Sequence, residues 1–187
     1  MKSASLFFAT TPAWNLLQRQ GWRTLSDGIV QIPGFAVVRK DRKVIDHRGV
    51  CAYIQEGNCR YKQLKDLNCC EGHESLWLYL RPNRLPRRFS CIIAGVIYHP
   101  PKADGPLLPD HLLLSLALTE ARYPNCGLLV TGDFNPLNID GLLNHFQLKQ
   151  IVKVPTRKKA TLDFKKLPWG VTCEQATRLC WVDIWRR

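Results

Sequence analysis

Acidic residues are scarce in this chain, and they are unevenly placed. Across 187 residues, 15 Asp and Glu stand against 27 Lys and Arg, a formal net charge of +12. No glutamate occurs before Glu56, and no histidine follows His145. A balance of that sign favours polyanions such as nucleic acid or anionic membrane surfaces. The basic residues are spread along the chain, so the excess by itself marks no site. No apolar run is long enough to cross a bilayer, and no membrane partner is expected. The opening, Met1 to Pro12, has one Lys and a brief apolar patch, too short and too polar for a secretory signal. An intracellular setting and mostly reduced thiols are therefore expected for the eight cysteines. Cys69, Cys70 and His73 form the tightest Cys/His cluster, but a zinc site needs a second pair at ligand spacing, and Cys173 with Cys180 fits poorly. Ordinary buried or surface thiols are the better reading. A P-loop, a dinucleotide fingerprint, a serine-nucleophile elbow and internal repeats are all missing.

What is present is a globular domain. The length suits one domain with a real core, and 45% apolar residues is ordinary. Residues 1–23 show no clear period. Phe35-Ala36-Val37-Val38 is a short strand candidate between Gly34 and a charged turn at 39–42. Residues 49–54 form another. Residues 75–80 set Leu76, Leu78 and Leu80 against Trp77 and Tyr79, a strand with both faces at least partly covered. Residues 81–88 carry two prolines and five arginine or asparagine positions, and read as an irregular basic hairpin loop. Residues 89–98 form a long apolar strand suited to the middle of a sheet. His99-Pro100-Pro101 stops it. Leu108, Leu112 and Leu116 recur at helical spacing within 107–121. A strand at 128–130 follows, then a short helix at 139–146 with Leu142, Leu143 and Phe146 inward, and strand starts at Ile151-Val152 and Thr161-Leu162-Asp163-Phe164. Strands and helices in this order give an α/β protein with a mixed sheet.

The stretch richest in chemistry is Leu128-Leu129-Val130-Thr131-Gly132-Asp133-Phe134-Asn135. An apolar run ends at a glycine that marks a turn, and residues two apart at a strand end point to the same side. Asp133 and Asn135 can then project together and orient a water, a metal ion or a phosphate oxygen. A second reading stays open here: Asp133 caps the helix that follows. Tyr98 closes the long strand, and Asp163 puts another carboxylate after the Pro155-Thr156-Arg157 loop. Sites of covered sheets often lie beyond strand ends. Phosphodiester hydrolysis needs a carboxylate to deprotonate water, acids to hold a divalent metal, and an amide or phenol to donate to the developing oxyanion.

Eight short motifs occur in one order: Ile32-Pro33-Gly34-Phe35, Arg39-Lys40-Asp41-Arg42, Arg48-Gly49-Val50, Glu74-Ser75-Leu76-Trp77, Gly95-Val96-Ile97-Tyr98-His99-Pro100-Pro101, Gly132-Asp133-Phe134-Asn135, Val154-Pro155-Thr156-Arg157 and Thr161-Leu162-Asp163. The series resembles the endonuclease domain of non-LTR retrotransposons, a branch of the exonuclease–endonuclease–phosphatase superfamily that includes apurinic endonucleases. It divides the chain into an unassigned segment 1–24, a domain 25–164 and an unassigned tail 165–187. The resemblance implies a monomeric, Mg²⁺-dependent phosphodiesterase acting on DNA, built as a four-layer α/β sandwich with largely antiparallel sheets. It implies that Asp133 activates or positions the attacking water, that Asn135 supports the phosphate site, that Tyr98 contacts the phosphate, and that Asp163 orients a catalytic histidine. Asp133 and Asn135 are also the candidate metal ligands.

The departures are as specific as the matches. The family opens with a strand bearing an asparagine and then one ending in a metal-binding glutamate. Here the region reads Gly21-Trp22-Arg23-Thr24-Leu25-Ser26-Asp27, and Asn15 is the sole early asparagine. The family closes on Ser-Asp-His, which Val182-Asp183-Ile184 does not match. Metal binding is doubtful without that glutamate, and the expectation is a degenerate copy, truncated at both ends, with weak or no activity. The alternative is a non-catalytic, basic nucleic-acid-binding fragment that uses the Arg81–Arg88 and Arg157–Lys159 loops without sequence specificity.

Overall fold

Short runs of aliphatic and β-branched residues, which fit a pleated, half-buried surface, set the strands of this protein. The computed structural model describes residues 6–9, 31–41, 49–67, 74–99, 107–134, 137–149 and 164–166. In chain order the elements are β1 (Leu6–Ala9), β2 (Phe35–Asp41), β3 (Gly49–Gln55), β4 (Cys59–Gln63), a 3-10 turn at Lys65–Leu67, β5 (Glu74–Pro82), β6 (Ile92–Tyr98), α1 (Leu107–Arg122), β7 (Gly127–Asp133), α2 (Asp140–His145) and β8 (Phe164–Lys166). They make two sheets. One has three strands in the order β1-β3-β2, and the other has five in the order β4-β5-β6-β7-β8. Every pairing is antiparallel except β6 with β7. A parallel pair needs a crossover, and α1 supplies it between β6 and β7. The chain is α/β with mixed, largely antiparallel sheets.

Period-two alternation sends β5 into two cores. Leu76, Leu78 and Leu80 pack with Ala94, Val96 and Leu129, and with Val50, Ala52 and Ile54 of the three-stranded sheet. Trp77 lies on the other face among Ile93, Ile97, Leu128 and Val130, under Leu108, Leu112 and Leu116 of α1 and Leu142 of α2. The central sheet is therefore covered on both faces, which is why β5 and β6 read as near-continuous apolar runs.

Several boundaries differ from the sequence reading. The turn expected at 39–42 starts later, because Arg39, Lys40 and Asp41 continue β2 by pairing with Cys51, Val50 and Gly49. Arg81 and Pro82 belong to β5, paired with Arg60 and Cys59, and Pro82 is tolerated because it ends the strand. β6 begins at Ile92, not Phe89; Ser90 N–H instead donates to Asn125 O at 3.1 Å. Gly132 does not turn the chain but lies within β7. β4 had no counterpart in the reading: Cys59-Arg60-Tyr61-Lys62-Gln63 is an edge strand with its three central residues exposed, so it lacks an apolar face. β1, in the segment without visible period, pairs its backbone with β3 from Leu6 opposite Ile54 to Ala9 opposite Cys51. The strand starts at 151–152 and 161–163, and the Cys69, Cys70 and His73 cluster, lie outside the described residues; Phe164 opens β8. Cys51, Cys59, Cys91 and Cys126 are free thiols, and burial pushes those of Cys59 and Cys91 up.

Candidate functional site: a strand-end row

The ends of three adjacent strands share one register row. Glu74, first in β5, pairs with Tyr98, last in β6, and Tyr98 pairs with Asp133, last in β7. Neighbouring strands are about 4.8 Å apart, so the backbones of Glu74 and Asp133 stand about 10 Å apart with Tyr98 between them. Two motifs distant in sequence, Gly95-Val96-Ile97-Tyr98 and Gly132-Asp133, thus meet side by side. The row forms because β6 and β7 run parallel, which brings both carboxyl ends to one edge.

Glu74 and Tyr98 are both buried, at 4% and 6% exposure. Tyr98 packs at the rim of the inter-sheet core, and strand alternation puts Glu74 on the same face as Leu76. Lys40 of β2 reaches across from the opposite sheet, and its Nζ donates to Ser75 O at 3.3 Å. Lys40, Glu74 and Tyr98 thereby stand at one edge of the facing sheets. Such a trio can hold a proton, accept one, and donate to an anionic oxygen. His99 follows directly and is also buried.

The opposite face of β5 carries a second polar contact. Ser75 Oγ lies 3.3 Å from His111 Nε2 of α1, and Ser115 Oγ lies 3.4 Å from the same nitrogen. Burial holds the His111 imidazolium below its ordinary pKa, and the Lys40 charge adds to the effect. Ser75 is fully buried, so this pair is a packing contact between α1 and β5 and presents no nucleophile to solvent.

Of the residues expected from sequence, Tyr98 and Asp133 are brought together. Asn135 and Asp163 lie outside the described residues. The helix-cap reading of Asp133 is overturned: α2 starts at Asp140 with Ile139 at its N-cap, so Asp133, the last residue of β7, caps nothing there. Glu74, Lys40 and Ser75 were visible only as letters within motifs. The usable signal for Glu74 was a carboxylate opening an otherwise apolar strand. For Lys40 there was none, because its role depends on which sheet faces which. Among the described residues no three or more His, Cys, Asp or Glu stand together as a metal-holding group. Nothing in the described side chains supports Mg²⁺, and no chemical step is assigned to it.

Comparison with models of protein families, with characterised proteins and with solved structures finds no match to this chain.

Proposed function

We propose that this chain is a degenerate copy of a retroelement endonuclease domain, a DNA phosphodiesterase fold with little or no hydrolytic activity left. The observation that supports it best is the strand-end row. Tyr98 and Asp133, the two residues that the resemblance puts on the phosphate and on the attacking water, occupy one register row at the carboxyl ends of neighbouring parallel strands. In this reading the two facing sheets are the inner layers of an incomplete four-layer sandwich, and α1 and α2 belong to one outer layer.

The same reading accounts for weak activity. Mg²⁺, when bound in such a domain, neutralises phosphate charge and activates water. The family's metal-binding glutamate has no counterpart before Glu56, and the terminal histidine has none after His145. Losing either group costs orders of magnitude in rate, and the losses are not additive. What the chain retains is positioning. Tyr98 can donate to a phosphate oxygen, Lys40 brings positive charge to the edge, and Glu74 can accept a proton.

Nicking of supercoiled plasmid by the pure protein in Mg²⁺ tests the loss of activity. The expected result is no nicking above background, for the natural chain and for Asp133→Ala alike. Robust nicking that disappears in Asp133→Ala would overturn it. The ancestry has its own check in the coding nucleic acid. A shifted frame downstream of the Asp163 codon is expected to read Ser-Asp-His, and its absence from every frame would count against this ancestry.

A further inference from the structure

The opposite end of the five-stranded sheet carries a concentrated positive surface. β5 spans nine residues, so its far end is about 25 Å from the Glu74–Tyr98–Asp133 row. There Arg81 stands directly opposite Arg60 of β4. Both are exposed, and like charges in register on adjacent strands repel. Lys62 is two residues along β4 from Arg60 and shares its face, also exposed. The hairpin after Pro82 adds Arg84, Arg87 and Arg88, all exposed. Acids near this surface are few among the described residues. Asp66 is engaged by Arg122 in an ion pair, which leaves Glu56 on the β3–β4 turn and Glu120 in the last turn of α1.

The hairpin holds these charges in a built frame. At its start, Asn83 N–H donates to Asn58 O at 2.9 Å and Asn83 Nδ2 donates to Gly57 O at 2.9 Å. In the middle, Phe89 N–H donates to Pro86 O at 2.9 Å, and the Arg88 guanidinium lies 5.1 Å from the Phe89 ring centroid. At its end, Ser90 N–H donates to Asn125 O and Ser90 Oγ to Pro124 O, each at 3.1 Å. Both ends are tied to neighbouring turns, so an anion meets the charges with less ordering cost than on a free loop.

We propose that Arg60, Lys62, Arg81, Arg84, Arg87 and Arg88 form a nucleic-acid-binding surface that grips the phosphodiester backbone, at the pole of the sheet opposite the strand-end row. All six donate and none accepts, and all are charged, which suits phosphate oxygens rather than base edges. Binding is therefore independent of sequence and strongly salt-dependent, and a phosphate chain relieves the Arg60–Arg81 repulsion. The surface works whether or not hydrolysis survives at the other pole.

The test is fluorescence anisotropy with a labelled 20-base-pair DNA duplex and a labelled single strand, over a salt series, with phosphatidylserine vesicles as a separate arm. The variants are Arg81→Ala/Arg84→Ala/Arg87→Ala/Arg88→Ala and, should that fail to fold by circular dichroism, the loop-only Arg84→Glu/Arg87→Glu. Each lost phosphate contact removes roughly 0.9 from the slope of log affinity against log salt on duplex DNA. The fourfold variant is expected to flatten that slope by about 3.6 and to weaken binding at least about tenfold near 0.1 M salt. Lys149→Ala, which removes an exposed positive charge that belongs neither to the six nor to the strand-end row, is expected to bind as the natural chain does. Unchanged affinity in the arginine variants would overturn the proposal, as would an equal loss of binding in Lys149→Ala, or binding to vesicles but not to nucleic acid. The plasmid-nicking result bears on none of these outcomes, so the two readings fail separately.

Discussion

At position 132 there is no room for a side chain. Gly132 sits at φ +141°, and a Cβ built there would fall 1.8 Å from Ile97 O, its register neighbour on β6. Both the backbone conformation and the contact require glycine, and the obstacle is backbone that cannot swing aside. Gly132→Ala is expected to cost about 3 kcal/mol or more, or to prevent folding, read by urea denaturation. A loss below about 1 kcal/mol would mean that β6 and β7 do not approach this closely. His111 gives a pH dependence at the same scale. Its folded pKa is lowered by burial and then by Lys40, while in the unfolded chain it titrates near about 6.5. The neutral ring is favoured by the fold, so its contribution is full above about pH 6.5 and is lost as pH falls from there toward the folded pKa. Urea melts at pH 7 and pH 5 are expected to show lower stability at pH 5, with a smaller drop in His111→Gln. An identical drop in both proteins would assign the acid sensitivity elsewhere. Tyr98 and Asp133 could be picked out in the sequence because each ends an apolar run. Glu74 left a weaker mark, a carboxylate that opens an apolar strand, and Lys40 left none, since nothing local distinguishes a lysine that spans two sheets from a solvated one.

The elements with one strong periodic face were the legible ones. α1 was expected at 107–121 and runs over Leu107–Arg122, because Leu108, Leu112 and Leu116 recur one turn apart and all three are buried. The same helix has an outward side on which Leu113 and Leu114 are 44% and 60% exposed. Leu112→Ala is therefore expected to cost about 2–5 kcal/mol, while Leu114→Ala stays within about 0.5 kcal/mol. Thermal or urea unfolding of the pair separates them, and equal losses would mean that α1 is rotated from its described face. β5 and β6 were legible for the same reason, as apolar runs covered on both sides. β4 was not, because an exposed edge strand takes its place from the ladder hydrogen bonds it makes to β5, and its own residues carry no period. The ends of β2, β5 and β6 moved by a few residues because pairing with a neighbour, not composition, decides where a strand stops.

Over the whole molecule, the five-stranded sheet has two chemically different ends. One gathers Glu74, Tyr98, Lys40 and the backbone of Asp133; the other presents arginines on an anchored hairpin. Antiparallel connection of β5 to β6 puts their hairpin at one pole, and the parallel return through α1 puts the carboxyl ends of β6 and β7 at the other. Sequence alone determined the class of fold, the central strands, the crossover helix, the basic excess and the identity of the Tyr98 and Asp133 motifs, because each is carried by local period, local composition or a contiguous word. Only the tertiary structure decided that Tyr98 and Asp133 share a row, that Glu74 and Lys40 join that edge, that Gly132 is fixed by Ile97, and that Arg60 confronts Arg81. Those facts depend on strand register and on which sheet faces which, and a period of two residues is the same whichever neighbour a strand finds.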